Sequence, residues 1–358
     1  MPDFSQKIIR WQVTHGRHGL PWQNTRDAYR VWLSEIMLQQ TQVVTVIAYY
    51  ERFLARFPTI AALAAAPQDD VMQHWAGLGY YARARNLHRA AQQVVEQHDG
   101  VFPDQFEAIN ALPGIGRSTA AAISAFAFGK RAAILDGNVK RVFARHFGVT
   151  GDVKSKPVTD QLWDIAVAEL PKTNIESYTQ GLMDLGATLC TRTKPQCLLC
   201  PVQKSCVANR EGLTDSLPGK GTKRVVPHRD LQMIVLIDSG QVLLEKRPPA
   251  GIWGGLWSLP ECAMEEDALA KAKSRFAIDA SKIKKLTSVA HGFTHYSLTI
   301  FPVEIHVAAQ QPRAMEAGLV WLDLAEIDKA ALPAPVKKIL LSLVNAQLRG
   351  PIKTTTPL

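Results

Sequence analysis

ALPGIGRSTAAAI, residues 111–123, reads as a glycine-hinged turn between two helical stretches. Gly114 and Gly116 permit the left-handed backbone that swings one helix sharply into the next. Leu112, Pro113, Gly114, Ile115, Gly116, Arg117 and Ser118 then form a hairpin that leads into a helix beginning near Arg117. Its backbone N–H groups and the helix N-terminus can face a phosphate. Contacts of that kind carry no sequence information, which suits a protein that must scan any duplex. An ordinary helix–helix turn uses the same glycines, so the tract by itself leaves both readings open.

Working outward, residues 1 to about 210 read as helix. Tyr29, Trp32, Leu33, Ile36, Met37, Val43, Val44 and Ile47 recur at helical spacing between Asp27, a suitable N-cap, and Leu54. Further helices are expected over 59–66, 69–76, 81–98, 105–111, 117–128, 138–147, 157–169 and 174–189. The polar, basic stretch 211–230, EGLTDSLPGKGTKRVVPHRD, reads as a linker. Beyond it MIVLID (233–238) and QVLLEKR (241–247) flank Ser239-Gly240 as a hairpin, and HYSLTIFPVEIHV (295–307) is another strand region. With helices near 264–276 and 335–346, residues 231–350 form an α+β domain.

The chain has 358 residues, enough for two or three domains. Its net charge of +9 suggests a polyanionic partner, although charge alone fits a basic but inert surface equally well. TAAAISAFAF (119–128) is too short to cross a bilayer, so no membrane partner is expected. The first twenty residues lack the apolar run of a secretion signal, which makes a cytoplasmic location the expectation. Thiols stay reduced there. Disulfides are therefore disfavoured for CTRTKPQCLLCPVQKSC (190–206), which holds four of the five cysteines. Cys190, Cys197, Cys200 and Cys206 have C-x6-C-x2-C-x5-C spacing. Four thiolates in one loop suit either zinc or a [4Fe–4S] cluster, and chemistry alone leaves both open.

Three tracts taken together are far more specific than any one. ALPGIGRSTAAAISAFAFGKRAAILDGNVKRV, VWLSEIMLQQTQV upstream and the four-cysteine loop resemble the endonuclease III superfamily, and more narrowly the MutY-type adenine DNA glycosylases. That resemblance implies an all-α helix-hairpin-helix catalytic region with one [4Fe–4S] cluster on the four cysteines. It implies a monomeric enzyme whose partner is double-stranded DNA carrying adenine opposite 8-oxoguanine or guanine.

The resemblance assigns the proton donor to Glu35, in SEIMLQQTQ, and the catalytic aspartate to Asp136, in LDGNV. Adenine leaves only when a ring nitrogen is protonated, and the sugar left behind has oxocarbenium character. One acid and one anion are wanted, with separated pKa values. Glu35's helical neighbours Val31, Trp32, Leu38 and Gln39 are mostly apolar and should keep it protonated. Asp136 precedes a helix, whose free N–H groups favour the ionised form. Where the lyase branch carries a Schiff-base lysine, this chain has Ser118, so strand cleavage should be absent or slight. The base must be flipped out of the duplex. By resemblance Gln40, Thr41, Leu78 and Tyr80 fill the space left behind, with Tyr80 as the wedge. Trp22, Gln23, Leu38, Asn138 and Gln180 line the adenine pocket.

In the second domain GIWGGLWSLPE (251–261) resembles the loop that opens a Nudix fold. The helix after it carries Lys271, Lys273, Ser274 and Arg275 where the hydrolases have metal-binding carboxylates. A basic helix cannot hold Mg²⁺, which leaves recognition as the domain's expected task. GFTHYS (292–297) resembles the family loop that inspects 8-oxoguanine, with Phe293, Thr294 and His295 as its members. Three rivals remain: a glycosylase/lyase for oxidised pyrimidines, a Nudix hydrolase, and a non-enzymatic damage-binding protein.

Overall fold

A capping aspartate opens the chain: Asp3 accepts the Gln6 N–H at 2.9 Å, and α1 (Phe4–His15) follows. The computed structural model describes residues 3–219, 221, 225–249, 251–278, 280–293, 296–307 and 317–349. Thr294 and His295 lie outside the described residues. Packing divides the chain into two compact units, residues 1–66 with 86–223 and residues 67–85 with 224–358.

The helical pattern expected from Asp27 onward is two helices, α2 (Ala28–Leu38) and α3 (Val43–Arg56). Asp27 caps α2 through the Tyr29 and Arg30 N–H groups. The break falls in the polar run Gln39-Gln40-Thr41-Gln42, where Gln40 takes the left-handed conformation at φ 57°. There follow α4 (Ile60–Ala65), α5 (Gln68–Trp75), α6 (Ala82–Gln97), α7 (Phe106–Ala111) and α8 (Arg117–Phe128). Between α7 and α8 lies the hairpin, with Gly114 at φ 80°. A Cβ there would come within 2.7 Å of the Asn86 Cβ, so both the backbone and the space demand glycine. Gly116 is the N-cap of α8 and no side chain caps it, which leaves its first-turn N–H groups for an outside acceptor.

Next come α9 (Gly137–Phe147), α10 (Lys156–Ala168) and α11 (Ile175–Asp184). The helix expected over 174–189 changes at Leu185 into a π-helical turn, Leu185–Leu189, that delivers Cys190. α1 packs on α11, α2 on α8, and α9 on both α11 and the π-turn. The core between them includes Ile8, Val139, Phe143, Tyr178, Leu182 and Leu185. After the cysteine loop and α12 (Val207–Arg210), the stretch expected to be linker stays packed as far as 219. Leu217 is buried, its carbonyl accepts Arg145 Nε at 2.8 Å, and Gly219 bridges to Asp152. Leu217, the buried one of two leucines in an otherwise polar run, anchors it together with these backbone contacts.

The second unit is built on β1 (His228–Asp238), β2 (Gln241–Lys246), β3 (Trp257–Ser258), β4 (Glu261–Cys262), β5 (Ala280–Lys285), β6 (Val289–Gly292), β7 (Ser297–Val307) and β8 (Leu319–Asp323). The strands β3-β2-β1-β7-β5 form the main path of one sheet, with β4 on β1, β6 on β7 and β8 on β2. β1 and β2 are the expected hairpin, closed by Ser239 and Gly240 at φ 49° and 81°. β1 and β7 run parallel from His228↔Ser297 to Ile237↔His306. That pairing explains why residues 233–238 of β1 and 302–305 of β7 are buried without alternation, since a parallel pair at the centre of a sheet is covered on both faces. α13 (Ala268–Phe276) covers Ile234, Leu236, Leu243, Val303 and Ile305, and α14 (Ala334–Arg349) is the last described element. α5 and the loop to Arg85 belong to this unit, where Lys246 pairs with Asp69 and Arg85 donates to the Gly254 carbonyl at 2.5 Å.

Candidate active site

α2 places Glu35 on the wall of a cavity of about 350 Å³, within the roughly 300–1,000 Å³ usual for small-molecule sites. Buried Val31, Trp32, Ile36 and Met37 surround it on the helix. The surface Glu35 retains faces this cavity, and burial pushes its carboxyl up to about 8. The nearby charge of Asp136 raises it further, and among the described residues none donates a hydrogen bond that would lower it. Glu35 is therefore a protonated acid at neutral pH, as its sequence neighbours led us to expect.

Asp136 is the N-cap of α9 and accepts the Val139 N–H at 2.8 Å. Its carboxyl was expected to be pulled down by the helix terminus. Burial is instead the largest influence and raises it, while the Val139 and Asn138 N–H groups and the Arg141 charge act in the opposite direction. Two buried carboxyls that feel each other titrate as a pair. Asp136 has donors and a cation where Glu35 has none, so Asp136 is the first of the two to ionise. Ser118 acts on this geometry directly, because its Oγ accepts the Leu135 N–H at 2.9 Å and ties α8 to the residue before Asp136. At the far side, Arg141 donates to Asn138 Oδ1, the Gly186 carbonyl and the Cys190 carbonyl at 2.8, 2.6 and 2.7 Å.

Of the residues expected in the pocket, Trp22, Gln23, Leu38 and Gln180 line the cavity with Glu35. Gln23 lines it with its amide already engaged: Nε2 donates to the Arg17 carbonyl at 2.9 Å and Oε1 accepts the Leu20 N–H at 3.0 Å. Asn138 is held by Arg141 and is not part of the lining. Gln40 is exposed, and Thr41 Oγ1 donates to the Gln39 carbonyl at 3.4 Å. Neither lines the cavity.

Leu78 and Tyr80 fall in the second unit. Leu78 is buried, whereas Tyr80 is exposed on a left-handed residue, φ 49°. The Arg83 guanidinium stacks 5.5 Å from its ring and 5.3 Å from that of Trp75, and donates to the Leu78 and Gly79 carbonyls. Phe293 lies in an aromatic cluster, stacked on Tyr296 at 4.4 Å and edge-on to His291 at 4.6 Å.

One residue of the site carries no sequence signal. Asp184, fully buried at the end of α11, accepts the Arg17 N–H at 2.8 Å, Arg17 Nε at 2.7 Å and Gln180 Nε2 at 2.8 Å. Arg17 and Gln180 both line the cavity. An aspartate late in a helix looks ordinary until a partner 167 residues away reaches it.

Cys190, Cys197, Cys200 and Cys206 line one small cavity together with Arg145. Burial pushes Cys200 up to about 12, and the other three sulfurs raise it through their charges. Arg145 Nη1 donates to Cys190 Sγ at 3.4 Å. The four sulfurs are thus mutual neighbours facing a common space, which fits a group that takes four thiolates. Among the described residues no three His, Cys, Asp or Glu side chains converge on a site for one ion. No helix among them is long and apolar enough to cross a membrane.

The family model described as "HhH-GPD superfamily base excision DNA repair protein" matches residues 33–166, and the NUDIX domain model matches 232–342. The "Adenine DNA glycosylase" of Buchnera aphidicola subsp. Acyrthosiphon pisum (strain APS) is 38% identical over 338 residues, covering 94% of this chain and 96% of its own. The Homo sapiens protein of the same name is 32% identical over 399 residues, covering 94% and 73%. Among solved structures, a thermostable thymine-DNA glycosylase is 31% identical with a TM-score of 0.53, covering 58% of this chain and 95% of that one. A non-covalent endonuclease III–DNA complex, 21% identical with a TM-score of 0.50 over 58% and 94%, shares the fold. With its helical glycosylase fold, Nudix-like α+β domain and paired carboxyls, this chain belongs to the adenine DNA glycosylase family and is a base excision DNA glycosylase acting on N-glycosyl bonds.

Proposed function

We propose that this glycosylase removes adenine opposite 8-oxoguanine or guanine in double-stranded DNA and leaves an intact abasic strand. The observation that carries the reading is Glu35, an acid whose carboxyl is pushed up to about 8 by burial on the wall of a base-sized cavity. The flipped adenine enters that cavity and Glu35 gives its proton to a ring nitrogen. The glycosidic bond breaks with its electron pair leaving on the neutralised base. Ionised Asp136 stabilises the oxocarbenium left behind, and water adds at the anomeric carbon, returning its proton to the carboxylate that Glu35 has become. Ser118 supplies no amine, and its hydroxyl is engaged by Leu135, so the reaction stops at hydrolysis. Cys190, Cys197, Cys200 and Cys206 would hold a [4Fe–4S] cluster, which supplies a cross-link for the loop and no hydrolytic chemistry.

Residues 1–210 carry this chemistry, and 231–350, with Phe293, Thr294 and His295, inspect the opposite base. Tyr80, exposed and aromatic on its loop, is the wedge, with Leu78, Gln40 and Thr41 beside it. The site of action is DNA within the cytoplasm, and the enzyme works as a monomer. The test is a duplex holding one A:8-oxoguanine pair. Adenine should be released, the strand should break only after alkali, and borohydride should trap no covalent complex. Efficient trapping would favour a lyase instead.

A further inference from the structure

A glutamine amide has two ends, one that donates and one that accepts. The neighbour of Gln180 chooses between them. Asp184 is fully buried and already receives the backbone and guanidinium N–H groups of Arg17, so it can only accept. Gln180 must therefore turn its NH₂ toward Asp184, where Nε2 lies 2.8 Å from Oδ1. Its carbonyl becomes the free end, and among the described residues no donor reaches it. Gln180 sits on the wall of the cavity that holds Glu35. Gln23, on the same wall, has both ends engaged and has no free end to offer.

We propose that Asp184 is a positioning residue that fixes Gln180 with its carbonyl toward the flipped base, so that the 6-amino group is the feature selected. This rests on reading the cavity as the purine pocket. Adenine presents a donor at C6, whereas hypoxanthine and guanine present an acceptor. A fixed acceptor pairs with the first and leaves the second facing a carbonyl with no hydrogen between them. A polar site built for one pattern rejects the other because its own group is left unpaired. Arg17 makes the arrangement permanent. It neutralises Asp184 and pins it from a separate helix–turn segment, 2.6 Å away at its closest atom. An unpinned amide could rotate end for end and accept either purine.

The experiment measures single-turnover kcat/KM of the full-length protein on three duplexes, with adenine, hypoxanthine or unsubstituted purine opposite 8-oxoguanine. In Gln180→Met the acceptor is gone and the Arg17–Asp184 pair is untouched. Its preference for adenine over purine should fall about tenfold relative to wild type, the size of one lost hydrogen bond. In Asp184→Asn the amide is released, because asparagine can donate to the Gln180 carbonyl as readily as it accepts. Its preference for adenine over hypoxanthine should narrow to a similar extent. If Asp184→Asn fails to fold because Arg17 is left unpaired, the paired change Arg17→Met with Asp184→Asn, which removes the stranded cation, takes its place in the same comparison. Should the folded variants lose activity equally on all three duplexes, Asp184 is a structural residue only and the proposal is overturned. Wild-type protein that releases no adenine would instead remove the functional reading, and this inference with it.

Discussion

In the proposed mechanism Glu35 trades stability for chemistry at a single residue. Its carboxyl titrates near 8 in the folded chain and near 4.3 when unfolded. Between those values the folded state holds a proton that the unfolded state has released, so stability falls as pH rises through the window. Asp136, also raised by burial, contributes with the same sign. Glu35→Gln should remove that residue's share of the slope and raise the melting midpoint at pH 7.5 by ~2–4 °C, read by thermal melts across pH. The same change should slow adenine release by about 10²–10⁴-fold while mispair binding survives, because only the proton donor is lost. In wild type the single-turnover rate should decline above about pH 8 as Glu35 gives up its proton. A rate flat to pH 9.5 would take proton donation away from this residue. Asp136→Asn should be severely slowed as well, and because burial also raises Asp136 it should remove that residue's share of the same pH slope.

α9 is the element through which distant parts of the first unit meet. Its N-cap is Asp136, the proposed catalytic aspartate, its middle carries Arg141 and its last turn Arg145, and these arginines bond the π-turn and the cysteine loop. The contact needs glycine. A Cβ on Gly186 would lie 2.6 Å from the Asn138 Cβ and 3.1 Å from its Cα, so Gly186→Ala must displace either the π-turn or α9. It should cost about 1–3 kcal/mol, as overpacking does, and slow the chemistry with it. Thermal melts and single-turnover rates check both. Cys197→Ser should lower folding yield before it lowers activity, and the wild-type protein should contain about four irons per chain. A colourless, active protein with one zinc would show that the loop holds a different metal. The helices were legible because apolar period and caps are local, as at Asp27 and Asp136. Short motifs single out Glu35 and Asp136, and the structure buries both within reach of each other's charge. Asp184 was not legible, since its role depends on Arg17, and neither was the lift of Asp136 above its ordinary range, since burial is a property of the assembled fold.

At the scale of the whole molecule, packing and chain order disagree. Residues 67–85 sit inside the stretch that reads as helical catalytic region, yet they group with the Nudix-like unit. Sequence periodicity cannot report this, because α5 looks the same whichever partner it packs against. The consequence falls on truncation. A chain ended within 212–230 keeps Glu35, Asp136 and the four cysteines in the unit that holds them, and should still release adenine. It should lose much of its preference for 8-oxoguanine over guanine, and that loss has two sources. One is the loop of Phe293, Thr294 and His295, whose polar contacts would each be worth about 1 kcal/mol. The other is the loop that carries Tyr80, left without the Gly254 and Lys246 contacts of Arg85 and Asp69. Thr294→Val with His295→Ala separates them, because it disarms the first and leaves the second packed. The double variant should recover only part of the truncation's loss, measured as the ratio of single-turnover rates on the two mispairs. A double variant as indiscriminate as the truncated chain would place all of the discrimination in the 293–295 loop. If truncated and intact proteins discriminate equally, the second unit does not read the opposite base.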